Sequence, residues 1–263
     1  MVKAWKKAPK THISSGWEVA IILFKAVVFL PARFVKRLFG RDIEVFTPVI
    51  FGMKKFLEAT YTVWLCLFIF FSFIAVILFD VVSFFVLEPG DVFSERIYTV
   101  VTHLFMHGSV SHLLGNLAVL FGVGRIVERY FGGNVMIGLF LFFGAMTGAL
   151  MSATEIWIEN GAVGASAAIT GLGVVALLRN PMDLLFIPPA ILPVFFVIPT
   201  FILTDILFLG VSDGVGREAH LVGGFLGLIY AWISTSTLFL VSRTVWVGSV
   251  FLLTLLVLGL FGF

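Results

Sequence analysis

Apolar stretches close to the length that crosses a bilayer recur along this chain, and they leave it few folds to choose from. A spanning helix needs about 20 mainly apolar residues. Seven candidates lie between short polar, glycine or proline breaks: Tyr61 to Phe79, Val110 to Ile126, Val135 to Ser152, Gly164 to Leu178, Leu184 to Leu209, Ala219 to Leu240 and Val245 to Phe261. Of the 263 residues 60% are hydrophobic, 12% are charged and 31 are Phe, a composition far from that of a soluble domain. In hydrocarbon every backbone N–H and C=O must be paired within the protein, which a helix achieves by itself. The expectation is an all-α, polytopic membrane protein.

The basic residues set its predicted orientation, because short cytoplasmic loops retain Lys and Arg. Lys3, Lys6, Lys7, Lys10, Lys25, Arg33, Lys36, Arg37, Arg41, Lys54 and Lys55 all precede the first span. With that end cytoplasmic, Arg125, Arg129, Arg179 and Arg243 fall on the same side, and only Arg96 and Arg217 are left outside. The outer loops instead carry Glu88, Asp91, Glu95, Glu155, Glu159, Asp213 and Glu218. The basic segment 1–57 reads as lying on anionic lipid headgroups rather than on nucleic acid. Its apolar run, Val19 to Leu30, contains Lys25 and is followed by Pro31-Ala32-Arg33. That fits an interfacial amphipathic helix better than a cleaved signal peptide or an eighth span. A single cysteine, Cys66, excludes an intramolecular disulfide.

Polar groups inside apolar spans are costly, about 2.5 to 3.5 kcal/mol for a charge at the centre, and here they cluster. His103, His107 and His112 lead into the second span, and His220 opens the sixth. With the N-terminus inside, spans two, four and six all enter from the outer side, so His112, Asn116, Ser166 and His220 share one depth. The fourth span begins Gly164-Ala165-Ser166-Ala167-Ala168 and continues with Thr170, Gly171 and Gly173, small residues that let helices approach closely. Gly223 and Gly227 give the sixth span a matching face. A hydroxyl is a weak nucleophile until a neighbouring imidazole takes its proton. His112 and Asn116, four residues apart on one helical face, can donate hydrogen bonds to an oxyanion. Taken singly, Ser166 reads as a packing residue, His220 as a hydrogen-bonded structural histidine, and the His112/Asn116 pair as interhelical glue. Their combination points to a hydrolytic site.

At these residues the chain resembles the rhomboid intramembrane serine proteases, from roughly Tyr61 to Leu240. His103-x3-His107-x4-His112-x3-Asn116 is similar to that family's second-helix motif, and Gly164-Ala165-Ser166-Ala167 to its Gly-x-Ser-Gly motif. Ala219-His220 with Gly223 and Gly227 resembles its sixth-helix signature, and Gly124 and Glu128, followed by Arg129 and Gly132, the run that ends its second helix. The resemblance implies a rhomboid-like six-helix core over 58–242, with 243–263 an added C-terminal transmembrane helix. It makes Ser166 the nucleophile and His220 the general base of a dyad without an aspartate. His112, Asn116 and Gly164 would line the oxyanion and substrate-binding region, with the Ser166 N–H as a further donor. His103, His107, Gly223, Gly227 and Glu128 would be structural. It implies no metal and no cofactor. The implied substrates are membrane proteins with helix-destabilising residues in or near a span, cut at a site open to the outer side of the cell membrane.

The chain departs from the family pattern in three places. Ala167 follows the nucleophile where glycine is usual, Thr170 stands where an aromatic residue often stacks on the histidine, and Tyr98-Thr99 replaces a Trp-Arg pair in the first outer loop. Asp205, near the outer end of span five, reads as reaching the outer interface, with orienting a histidine or gating the cavity as alternatives. Pro188, Pro189, Pro193 and Pro199 are expected to kink or interrupt that span, which suits a lateral gate. Two other functions compete: a rhomboid-like protein that binds membrane clients without cutting them, and a metal- or haem-binding transporter using its histidines.

Overall fold

The first three spans contain no proline, and each forms one long helix in the computed structural model, which describes residues 60–154, 161–187, 190–211, 213–234 and 248. The basic N-terminal segment and, apart from residue 248, the seventh span lie outside the described residues. Helix α1 runs Thr60–Leu78, α2 Val110–Phe131 and α3 Gly133–Thr154. All three are long and apolar enough to cross a membrane. Ser109 caps α2, its Oγ accepting the His112 N–H at 3.0 Å. Gly132, at φ 86° and ψ 158°, takes a backbone conformation open in practice only to glycine, and the chain turns straight into α3. Helices α4 (Ser166–Arg179), α5 (Val194–Leu207) and α6 (Arg217–Ser234) complete six long helices among the described residues.

The fifth span is shorter than the apolar run that encodes it. Expected over Leu184 to Leu209, the helix starts only at Val194, behind Pro193 as its N-cap. Before it two strands pair antiparallel, β1 (Leu184–Ile187) with β2 (Ala190–Pro193), in register from Leu184 opposite Pro193 to Ile187 opposite Ala190, while Pro188 and Pro189 lie outside the described residues. A proline in a helix interior removes one hydrogen bond and clashes with the preceding turn, a cost that Pro193 avoids by standing at the N-cap. The strand pair satisfies its own backbone and lays Leu185, fully buried, against Gly122 of α2. Pro199 is accommodated inside α5.

Helix α4 is the hub, with every residue from Ala167 to Leu178 buried. A methyl group added at Gly223 would strike the Ala167 carbonyl oxygen, and one at Gly227 the Gly171 carbonyl oxygen. Both pairs are offset by the same number of residues, so α4 and α6 run parallel in one register. At the opposite end Glu128 binds the start of α1: its carboxylate accepts the N–H groups of Tyr61 and Thr62 at 3.0 and 2.9 Å and the Thr62 hydroxyl at 2.6 Å. These are donors that the first turn of a helix leaves without partners. Nearby, Arg129 pairs with Asp183, Asn180 donates to the Tyr130 hydroxyl at 2.9 Å, and the Arg129 and Arg179 guanidinium groups each lie 4.9 Å from the Tyr130 ring centre.

Gly227→Ala is expected to lose about 1–3 kcal/mol in unfolding experiments in detergent, because the new methyl group meets the Gly171 backbone. Gly138→Ala, on α3 where nothing lies within 4 Å, is expected to gain up to about 1 kcal/mol from helix propensity. Equal losses at both positions would show that close backbone approach is not what holds α4 to α6.

Candidate active site

The polar end of the bundle rests on the loop between α1 and α2, which is built around one buried carboxylate. Asp91 accepts the Glu88 N–H at 2.9 Å, the Arg96 Nε–H at 3.1 Å and the Thr99 hydroxyl at 2.9 Å. Arg96 also donates to the Val86 carbonyl at 2.7 Å. Ser152, at the end of α3, donates to the Glu88 carbonyl and accepts the Val92 N–H, while Leu87 and Ala162 exchange backbone hydrogen bonds. Arg96, Thr99 and Asp91 thus fix the loop where the family pattern has a Trp-Arg pair.

That loop carries a helical turn, Thr99–Thr102, running into a 3-10 turn, His103–Phe105. His103 donates from Nδ1 to the Thr99 carbonyl at 2.8 Å and fits against Gly148 of α3, where a methyl group would touch its ring. Its own carbonyl accepts the Gly164 N–H at 2.9 Å, so it positions the strand of chain that leads into α4. His107 is fully buried; its Nε2 lies 3.5 Å from the Ala165 N–H, and its ring meets that of His112 edge-on at 5.0 Å. Gly164 has φ 123°, and an added methyl group would lie 2.9 Å from the His112 ring. Both facts require glycine at that position. Asn116 is buried and donates from Nδ2 to the His112 carbonyl at 3.0 Å.

Ser166 opens α4, and its carbonyl, not its hydroxyl, accepts the Thr170 hydroxyl at 2.8 Å. The α4/α6 register sets its depth relative to His220. Gly223 faces Ala167, so Ser166 and His220 differ by two residues along parallel axes, about 3 Å. His112 lies within electrostatic reach of His220. Ser166, His220, His112, Asn116 and Gly164 are therefore gathered at one end of the bundle. His103 and His107 support them from the loop, Gly223 and Gly227 set the register, and Glu128 acts at the far end. Among the described residues His103, His107, His112 and His220 do not converge as a metal-ligand set.

Asp205 is a correction. Expected at the outer interface, it is buried (3% exposed) beside His220 (6% exposed), its Oδ2 3.1 Å from His220 Nδ1. One turn earlier on α5, Phe201 packs on the same imidazole, ring centres 5.1 Å apart. The aromatic partner missing at Thr170 is thus supplied by a different helix. Sequence reasoning overlooked Phe201 and the Asp91 hub. A carboxylate within an apolar span was the available signal for Asp205, whereas Phe201 is one apolar residue among many. Beyond α5, Arg217 donates from Nη1 to Asp213 at 2.7 Å and to the Val211 carbonyl at 3.2 Å. The guanidinium holds the Asp213 carboxyl down at about 2.

These features define a helical integral membrane protein with a polar site at one end of its bundle. A family model described as the Rhomboid domain matches residues 94–237, more than half of the chain. RHOMBOID-like protein 4 of Arabidopsis thaliana is 35% identical over 143 residues, covering 49% of this chain and 34% of that protein; the chain thus matches about a third of the relative's length. The chain belongs to the rhomboid family.

His103 also gives the fold a pH dependence. Burial pushes its pKa from 6.5 down to about 4, against a smaller opposing effect of its backbone hydrogen bonds. Above pH 6.5 the imidazole is neutral both folded and unfolded. Below it the unfolded chain takes up a proton that the buried ring refuses until about pH 4. Stability in detergent is expected to fall by about 1.4 kcal/mol per pH unit from this group across that window. In unfolding experiments a His103→Asn variant, less stable at neutral pH, should show a correspondingly shallower decline.

Proposed function

We propose that the protein is an intramembrane serine endopeptidase that cleaves other membrane proteins within or beside a transmembrane segment, using Ser166 and His220. The observation that carries this reading is the glycine-set register of α4 and α6, which supports a Ser166–His220 pair at the start of two parallel helices. In the reaction His220 Nε2 takes the Ser166 Oγ proton as Oγ attacks the scissile carbonyl. The resulting oxyanion would be met by Asn116 Nδ2, the His112 ring and the Ser166 N–H, which lies in the first turn of α4 where amides point out of the helix. His220 then returns the proton to the leaving amine, and water hydrolyses the acyl-enzyme by the same route. Because helical hydrogen bonds shield a scissile carbonyl, substrates would carry Gly, Pro or small polar residues near the cut. The excess of Lys and Arg before α1 supports a cytoplasmic N-terminus, with the site opening to the other side of a cell membrane.

The test uses a rhodamine-linked fluorophosphonate on the detergent-solubilised protein. Labelling of the wild type is expected, and Ser166→Ala should abolish it while leaving the unfolding temperature near that of the wild type; His220→Ala should abolish it too, with some loss of stability because Asp205 loses its buried partner. A folded wild type that does not label, yet binds a transmembrane helix, would instead support the client-binding reading.

A further inference from the structure

The dyad that the family resemblance implies has no third member, yet His220 has two close partners on α5. Asp205 and Phe201 are four residues apart, hence on one face of that helix, and both address the same ring: the carboxylate at Nδ1 and the phenyl group against the plane. We propose that Asp205 is a positioning residue that makes the Ser166–His220 pair a three-membered relay, accepting the Nδ1–H of His220 and leaving Nε2 bare toward Ser166.

This proposal rests on the catalytic reading given above, and adds to it the group that orients the base. A neutral imidazole carries its proton on either nitrogen, and only the Nδ1–H form has a free lone pair at Nε2 to receive the serine proton. A carboxylate acceptor at Nδ1 selects that form. When Nε2 takes the proton from Ser166 Oγ, the imidazolium gains an adjacent counter-charge, and the Nδ1 proton stays where it is. Nε2 then gives its proton to the leaving group, restoring the neutral ring. The exchange between Ser166, His220 and the leaving group balances without a further reactant.

Burial makes the contact matter. The two side chains are 8% and 4% exposed, so water does not compete for Nδ1, and a buried carboxylate has a strong requirement for a donor. Arg217, first residue of α6, lies within electrostatic reach of Asp205 while its fork engages Asp213. The charged and titratable groups around His220 are therefore Asp205 from α5, His112 from α2, and Arg217 and Glu218 from its own helix. The charged residue of α4, Arg179, is at the far end of that helix.

The fluorophosphonate labelling rate, measured between about pH 5 and about pH 8, tests the relay in the full-length protein. Asp205→Asn is expected to slow labelling at least about tenfold. It should also move the acid limb of the rate profile to lower pH, because the imidazolium loses its counter-charge. Asp205→Glu, which keeps a carboxylate, should lose less rate and keep the limb in place. A merely structural aspartate would change the folded fraction without shifting the limb, and an unshifted limb with wild-type rate in folded Asp205→Asn overturns the proposal. Nitrogen NMR of histidine-labelled wild type needs no Asp205 variant. The His220 signal, identified by its absence in His220→Ala, should show the proton on Nδ1, and a proton on Nε2 alone overturns the proposal. A wild type labelled no faster than Ser166→Ala would sink the catalytic reading, while the NMR result would still decide whether Asp205 holds the ring.

Discussion

Two glycines that let one backbone lie directly on another are the constraint from which the rest of this structure follows. In lipid there is no hydrophobic gain in bringing two apolar helices together, so close packing and interhelical hydrogen bonds must do it. Gly223 and Gly227 meet the carbonyls of Ala167 and Gly171, which fixes separation, direction and register in one contact. Because α4 is enclosed along nearly its whole length, that register reaches every helix packed on it. The depth of Ser166 relative to His220 is a consequence of backbone packing and needs no contact between the two side chains to set it.

Charged and polar groups are arranged to satisfy backbone that the helices leave open. Asp91 gathers donors of the loop between α1 and α2, Glu128 takes the first amides of α1, and β1 and β2 pair with each other ahead of α5. Each is a local answer to one requirement: a buried N–H or C=O must find a partner. Gly164 belongs with them, since its left-handed backbone turns the chain into α4 while leaving room for the His112 ring.

Much of this was legible in the sequence, for reasons that differ between parts. Hydropathy located α1, α2 and α3 within a few residues, because an unbroken apolar run with clear breaks has one solution in a bilayer. It misjudged the fifth span, since Leu184 to Pro193 is as apolar as a helix and only the prolines reveal otherwise. Candidate site residues on α2, α4 and α6 stood out because polar groups in such surroundings are conspicuous. Asp205 was visible but its direction was not: a carboxylate near a helix end looks the same in sequence whether it faces headgroups or a histidine. Phe201 gave no signal at all, because stacking on His220 depends on how α5 is rotated, and spacing along one chain does not encode that rotation.

The shortness and enclosure of α4 bear on how the molecule is made. Its 14 residues rise about 21 Å, against a hydrocarbon core of about 30 Å, and they are rich in small side chains. Such a segment holds its place in a membrane through its neighbours, whereas α1, α2 and α3 each have the length and apolarity to enter alone. Biogenesis then has an order built into it. The first half of the bundle must be in the membrane to receive α4, and α4 stays only loosely retained until α6, synthesised some forty residues later, closes over it.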